Sequence, residues 1–110
     1  MVTTAKSEAT RNALGPTLVK LAQAGLDIVC VDADLGFSTT AVKFGQAFPD
    51  RFFPVGVAEQ NMVGVAAGLA ATGKIAFCSS FGVFAPGHCF DQLRMAVAQP
   101  RTNVKLVSSH

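Results

Sequence analysis

The residue best placed to do chemistry is Glu59, a carboxylate between an apolar run and a helix of small residues. An acidic side chain in the first turn complements the helix dipole, which stabilises a helix by a few tenths to about 1 kcal/mol. The helix behind it, residues 58–72, shows no polar face, so we expect it to be buried on all sides. Burial opposes the charged carboxylate whereas the dipole favours it, and a group balanced in this way can share or hold a proton. Glu59 is therefore either a helix-stabilising residue or an acid–base group at the mouth of a dry site.

Two aromatic residues, Phe81 and Phe84, flank Gly82 and Val83 at the end of a predicted strand. Most phenylalanines belong to a core, and composition alone favours that role. The other interpretation is an apolar slot beside Glu59, suited to a flat heteroaromatic ring with a basic nitrogen. It requires that strands neighbouring in sequence also be neighbours in the sheet.

Other chemical patterns carry less weight. The segment Gly-Leu-Ala-Ala-Thr-Gly-Lys at 68–74 has the spacing of a phosphate loop, but Ile75 replaces the magnesium-binding hydroxyl. This segment also follows a helix and opens a strand, the reverse of a working phosphate loop. His88 and Cys89 are adjacent, and Cys78 has no CxxC companion, so we expect structural thiols, no metal site and no Cys/His nucleophile.

The elements that must position these residues alternate between helices and strands. The first predicted element is a helix that ends at Gly25 and is interrupted by Pro16. Arg11 lies on the segment that enters this helix, with its side chain expected to face outward. The continuous apolar run at 27–31 is typical of a strand covered on both faces. The remaining predictions are strands at 52–57, 74–80 and 103–108, and helices ending near Ala47 and spanning 58–72 and 88–99. This alternation predicts an α/β fold with a parallel sheet and flanking helices.

Spacing and composition add expectations about partners. Gly64 and Gly68, four residues apart, would let another backbone approach closely, in a domain or subunit interface or against the chain's own sheet.

The 110 residues make one domain, 50% of them hydrophobic and 15% charged. The net charge of +2 includes no basic block, so nucleic-acid binding is not expected.

Compartment is predicted from what the sequence lacks. The most apolar stretch, residues 62–71, is about half as long as a membrane span. Residues 1–10 have no apolar core after Lys6, so neither a membrane segment nor a signal peptide is expected. Three cysteines cannot all pair within the chain, and a reducing cytoplasm is the expected location.

Four motifs together resemble the pyrimidine-binding (PYR) domain of the transketolase family, with the C-terminal subunit of two-chain transketolases the nearest likeness. They are Val-Gly-Val-Ala-Glu-Gln-Asn-Met at 55–62, Ala-Ala-Gly-Leu-Ala at 66–70, Ser-Ser-Phe-Gly-Val-Phe at 79–84 and Asn-Val-Lys-Leu-Val-Ser-Ser-His at 103–110. The resemblance implies that residues 1–110 form a thiamine-diphosphate-binding PYR fold. It further implies that this fold is truncated, without its last strands and the domain that follows.

The resemblance also implies roles for individual residues. Glu59 is similar to the catalytic glutamate that hydrogen-bonds the aminopyrimidine nitrogen of thiamine diphosphate and sets its protonation state. Phe84 matches the aromatic residue that stacks on the pyrimidine, and Phe81 belongs to the pocket beside it. Asp34 is similar to an aspartate that faces the thiazolium ring and the substrate.

Substrate contacts are implied in the same way for Arg11, Ser38 and His110. A guanidinium fork and a hydroxyl near a helix start suit a sugar phosphate. His110 matches the first histidine of a substrate-facing loop.

The departures from the family pattern predict a partner. No Gly-Asp-Gly with a downstream Asn occurs in the chain, so Mg²⁺ and the diphosphate would be held by a diphosphate-binding (N-terminal type) subunit, in a homo- or hetero-oligomer. Gln60 stands where transketolases have His, as in the synthase and two-chain types. The implied function is transfer of a two-carbon ketol unit between sugar phosphates, with the isolated chain inactive. Alternatives are a deoxyxylulose phosphate synthase or 2-oxoacid dehydrogenase β-type PYR domain, or a non-catalytic assembly module.

Overall fold

A parallel four-stranded sheet organises the chain in the computed structural model, which describes residues 5–110. The first four residues, part of the segment tested for a signal peptide, lie outside the described range. Along the sheet the strands run in the order β2-β1-β3-β4, and every pairing is parallel. Their bounds are β1 Ile28–Asp32, β2 Phe52–Pro54, β3 Ile75–Phe81 and β4 Val104–Ser109. The predicted fold class is confirmed.

The helices connect these strands and lie on both faces of the sheet. The α-helices are α1 Leu14–Gln23, α2 Gly36–Thr39, α3 Val42–Ala47, α4 Glu59–Ala71 and α5 Phe90–Gln92. Short 3₁₀ turns at Thr10–Ala13, Pro49–Arg51 and Gly87–Cys89 and a π-helical turn at Leu93–Ala98 complete the path. Pro16 lies in the first turn of α1, where a missing N–H leaves no helical hydrogen bond unmade.

Strand β1 is the buried axis of the sheet. All five of its residues are buried, as the continuous apolar run predicts for a strand covered on both faces. Strand β2 is shorter than predicted because Gly56 turns the backbone with a φ of 78°. Val55 still donates its N–H to the Asp32 carbonyl at 2.9 Å.

Helix α4 packs on β3 and β1 and leaves its outer side open. Met62, Val63 and Ala66 are fully buried, whereas Gly64 and Gly68 are exposed, and an added Cβ at either glycine would meet nothing within 4 Å. The expectation of a helix buried all round is therefore wrong, because only one face of α4 meets the sheet. Packing of these glycines on the chain's own sheet is excluded, and an interface there stays a prediction.

Two hydrophobic cores lie on opposite faces of the sheet. Helix α4 and the 87–98 segment enclose one core, with Met62, Val63 and Cys78 at its centre. Helices α1 and α3 enclose the other, with Leu18 and Phe44 at its centre.

The predicted continuous helix at 88–99 is replaced by 3₁₀, α and π turns. None of the helices described in residues 5–110 has the length and apolar character needed to cross a membrane.

Candidate active site

Glu59 opens helix α4 at the carboxyl edge of the sheet. The chain reaches it from β2 through the left-handed turn at Gly56, so the carboxylate follows the strand end directly. The residue is only 8% exposed, and no side chain caps the start of the helix. A buried carboxylate at the positive end of a helix dipole is thus confirmed as the local arrangement.

His88 contacts that carboxylate. Its Nδ1 lies 2.7 Å from Glu59 Oε1, a charge-assisted hydrogen-bond distance. The imidazole side chain is 60% exposed and the glutamate side chain only 9%. His88 therefore covers Glu59 on its solvent side.

A row of rings extends from His88 along the sheet edge. The Phe84 and His88 rings stack with centroids 5.7 Å apart, and Phe81 and Phe84 stack at 6.0 Å. His110 packs on Phe81 at 4.4 Å. Both phenylalanines are only partly buried, so part of each ring is exposed at the site.

Arg11 joins the far end of this row. Its Nη1 donates to His110 Nε2 at 2.9 Å, and both residues are exposed. The structure thereby brings together residues separated by 99 positions in the chain. Five of the predicted site residues, together with His88, form one connected series: Arg11, His110, Phe81, Phe84, His88, Glu59.

Asp34 and Ser38 lie just after β1 but stay outside that series. Their side chains are exposed and make no hydrogen bond within residues 5–110. Asp34 has a φ of 67°, in the left-handed region that aspartate tolerates better than most residues. Its carboxylate is consequently free to meet a ligand at the sheet edge.

Asp32 is the acid that shapes this loop. Its oxygens accept the N–H groups of Leu35 at 3.4 Å and Gly36 at 3.1 Å. Burial raises the pKa of its carboxyl above the ordinary value, and the backbone N–H bonds oppose that shift only in part. Asp32 therefore orders the turn that presents Asp34.

An open cavity of about 520 Å³ adjoins Glu59. It is lined by Ala58, Glu59, Gln60, Asn61 and His88. A second cavity of about 360 Å³ lies between α1 and strands β3 and β4, with Arg11, Leu14, Phe77 and Val107 among its lining residues. The first cavity contains the carboxylate, so it is the candidate for a ring with a basic nitrogen.

The route that brings Glu59 near the phenylalanines differs from the one predicted. Strand β1 separates β2 from β3, so the strand preceding Glu59 is not the neighbour of the strand preceding Phe81. Helix α4 bridges the gap because it crosses β1 to pack on β3 and on the 3₁₀ turn at Gly87–Cys89. The assumption about strand neighbours is wrong, yet the residues converge.

His88 and Asp32 are the site residues that sequence reasoning missed. The sequence raises His88 only as a metal ligand or as part of a Cys/His nucleophile pair, and residues 82–87 are predicted as a loop. The helical turn there, in which His88 N–H donates to the Phe84 carbonyl at 2.8 Å, places residues four apart on one side. The four-residue spacing of Phe84 and His88 is therefore the feature of the sequence that could have placed His88 at the site.

The three cysteines are free and buried. Burial raises the pKa of the Cys78 thiol to about 12, and burial followed by the nearby Glu59 charge raises the pKa of Cys89. Within residues 5–110, no three His, Cys, Asp or Glu side chains gather closely enough to hold a metal ion. The thiols act as core side chains.

Comparison with known proteins decides the family. The model of the transketolase pyrimidine binding domain matches residues 6–110. The chain belongs to this family. The resemblance that the four motifs indicate is confirmed.

Individual relatives include separate transketolase sections and subunits. A putative transketolase C-terminal section from Methanocaldococcus jannaschii is 51% identical over 100 residues, covering 91% of this chain and 32% of the relative. The 6-deoxy-6-sulfo-D-fructose transketolase subunit SqwH of a Clostridium species is 49% identical, covering 84% of this chain and 29% of the relative. These relatives do not favour the synthase and dehydrogenase alternatives.

A solved structure agrees with them. A split-gene transketolase, described as an inactive beta4 tetramer, superposes with a TM-score of 0.84 at 50% identity, covering 96% of this chain and 35% of that one. The chain thus spans about a third of the length of these three proteins.

Proposed function

We propose that this chain forms the pyrimidine-binding wall of a thiamine-diphosphate-dependent transketolase. In this role it helps to transfer a two-carbon ketol unit between sugar phosphates. The observation that carries the proposal is the buried Glu59 carboxylate, which opens α4 beside a cavity and beside the partly exposed Phe81 and Phe84 rings.

The residues present fit the cofactor's pyrimidine ring. A carboxylate that is 8% exposed needs polar partners. His88 contacts Oε1 at 2.7 Å, and a ring nitrogen bearing a proton would provide a partner for Oε2. When bound, thiamine diphosphate supplies the carbon nucleophile and the electron sink for breaking a carbon–carbon bond next to a carbonyl. Glu59 would hold the proton at the ring nitrogen, and Phe84, with Phe81 beside it, would pack against the ring.

The substrate would lie at the end of the connected series that contains Arg11 and His110. Arg11 and Ser38 offer a guanidinium and a hydroxyl to a phosphate group, and His110, packed on Phe81, faces the sugar. The Asp34 carboxylate would face the thiazolium ring and the reacting part of the substrate. These roles rest on the family resemblance and on the position of all four residues at the carboxyl edge, where parallel sheets bind ligands.

A partner subunit would complete the site. The chain lacks a Gly-Asp-Gly motif, so the diphosphate and Mg²⁺ would be held by a diphosphate-binding transketolase subunit. The split-gene neighbour, described as an inactive beta4 tetramer, supports an oligomeric subunit that is inactive by itself. The cytoplasm is the proposed location, supported by three free, buried thiols.

Reconstitution tests the proposal. Mixed with a diphosphate-binding transketolase subunit, thiamine diphosphate and Mg²⁺, the chain should support ketol transfer, measured by a coupled sugar-phosphate assay. Glu59→Gln should lower kcat by about 100-fold or more, because general acid–base groups contribute on this scale. Glu8→Gln, at the other glutamate of the chain, is the matched control and should leave kcat unchanged.

The outcomes separate the candidate functions. Turnover that disappears only in Glu59→Gln supports the transketolase function. A stable complex without turnover in any variant indicates a non-catalytic assembly module. Turnover that Glu59→Gln leaves intact contradicts the assignment.

A further inference from the structure

We infer that His88 is a positioning residue for Glu59: its Nδ1–H fixes Oε1 and leaves Oε2 to meet the ring nitrogen of the cofactor. This inference rests on the proposed function of Glu59. It starts from the 2.7 Å contact between the two side chains.

Two contacts restrain the exposed imidazole, one with the Glu59 carboxylate and one with the Phe84 ring. Its ring stacks on Phe84 at 5.7 Å, with 27° between the planes. Its backbone N–H donates to the Phe84 carbonyl, and the 3₁₀ turn that carries it packs on α4. A ring restrained in this way loses little further freedom when it forms the hydrogen bond.

The geometry assigns the donor. A carboxylate accepts hydrogen bonds and does not donate, so Nδ1 must carry the hydrogen in the pair with an ionised Glu59. Among the described residues, His88 is the basic side chain that contacts the Glu59 carboxylate. The nearby Cys89 thiol is buried and offers no positive charge. Gln60 and Asn61 line the same cavity without a hydrogen bond to the carboxylate in the described chain.

One carboxylate can serve two partners because its oxygens have separate lone pairs. With Oε1 committed to His88, the carboxylate cannot rotate freely, and Oε2 is oriented before the cofactor arrives. Such preorganisation lowers the cost of binding.

The test compares two variants with the parent in the reconstituted complex. His88→Phe keeps a ring on Phe84 but removes the donor, and should weaken thiamine diphosphate affinity about tenfold, the effect of one charge-assisted hydrogen bond. His88→Asn places an amide N–H near the position of Nδ1 and should recover affinity to within about threefold of the parent. Affinity is measured by calorimetric titration with thiamine diphosphate at fixed Mg²⁺.

A spectroscopic measurement adds a readout independent of turnover. In ¹⁵N-labelled chain at neutral pH, the His88 Nδ1 should appear as the protonated nitrogen and should lose this signature in Glu59→Ala. The His88→Asn spectrum identifies the signals, since the chain contains only one other histidine, His110. Thermal unfolding of His88→Phe checks that the variant remains folded at the temperature of the titration, so that a loss of affinity reports on the site.

Failure of this inference differs from failure of the proposed function. If His88→Phe binds the cofactor like the parent, or if His88→Asn is as weak as His88→Phe, the positioning role is wrong. Loss of turnover in Glu59→Gln would then still support the transketolase function. If Glu59→Gln is active, the proposed function fails first.

Discussion

At the scale of single residues, two aspartates two positions apart have opposite environments. Asp32 ends β1, is 4% exposed and accepts backbone N–H groups, whereas Asp34 is exposed beyond the turn. The buried acid builds the turn, and the exposed acid is available to a ligand. Substituting either residue should therefore produce different consequences.

The raised pKa of Asp32 predicts a pH-dependent stability. A folded-state pKa above the ordinary value of 3.8 means that the folded chain holds this proton more tightly than the unfolded chain. The stabilisation from Asp32 is present below that value and is lost as the pH rises through the raised pKa. The free energy of unfolding of the parent, relative to Asp32→Asn, should therefore fall as the pH rises from 3.

Urea unfolding of both proteins between pH 3 and pH 7 measures this difference. A difference that grows with pH would contradict the assignment, because it would mean that the ionised carboxylate is preferred in the fold.

At the scale of elements, the same residue type has opposite roles in two helices. Gly15 is buried at the start of α1, where its N–H donates to the Thr40 hydroxyl, and an added Cβ would lie 2.1 Å from the Thr40 carbonyl oxygen. Gly64 lies on the open side of α4 with free space around it. Close packing requires glycine at the first position but not, in the isolated chain, at the second.

Alanine substitutions should consequently have opposite signs. Gly15→Ala should destabilise the chain by about 1–3 kcal/mol through overpacking. Gly64→Ala should stabilise it by about 0.5–1 kcal/mol, because alanine favours the helical backbone. Chemical denaturation of the isolated chain measures both effects.

The interface prediction is checked on the same variants. If the glycine side of α4 packs against a partner subunit, Gly64→Ala should weaken complex formation while it stabilises the isolated chain. Destabilisation of the isolated chain by Gly64→Ala would show instead that this helix face is already packed.

At the scale of the whole molecule, the sheet separates two unequal halves. Helix α4 and the 87–98 segment cover β1, β3 and β4 on one face, and α1 and α3 pack against residues of β1, β2 and β3 on the other. The second cavity opens where α1 stops short of β4. The face with α4 therefore contains the more continuous core and supports the side that carries Glu59.

Methionine-to-alanine substitutions test where the core lies. Met62 is fully buried in the α4 core, and Met95 is 48% exposed. Met62→Ala should lower the free energy of unfolding by about 2–5 kcal/mol, as for other buried methionines. Met95→Ala should cost less than about 1 kcal/mol, because surface substitutions have small effects. Equal losses would mean that the core does not lie where the structure places it.

Much of this fold follows from local pattern. The apolar run at 27–31 predicted β1 to within one residue because a strand buried on both faces needs a continuous apolar sequence. The small residues at 58–72 predicted α4 to within one residue at each end. The helix at 88–99 was predicted as continuous, and its π turn was missed because periodicity does not distinguish α from π turns within six residues.

By itself, the sequence determined the α/β class, the family, and the position of Glu59 at the start of a helix, since these depend on neighbouring residues and recognisable motifs. Only the tertiary structure decided that β1 lies between β2 and β3, that one side of α4 is open, and that His88 contacts Glu59. These features depend on strand order and on packing between distant segments. Composition and spacing along the chain do not encode such contacts locally, because many strand orders satisfy the same pattern of apolar and polar residues.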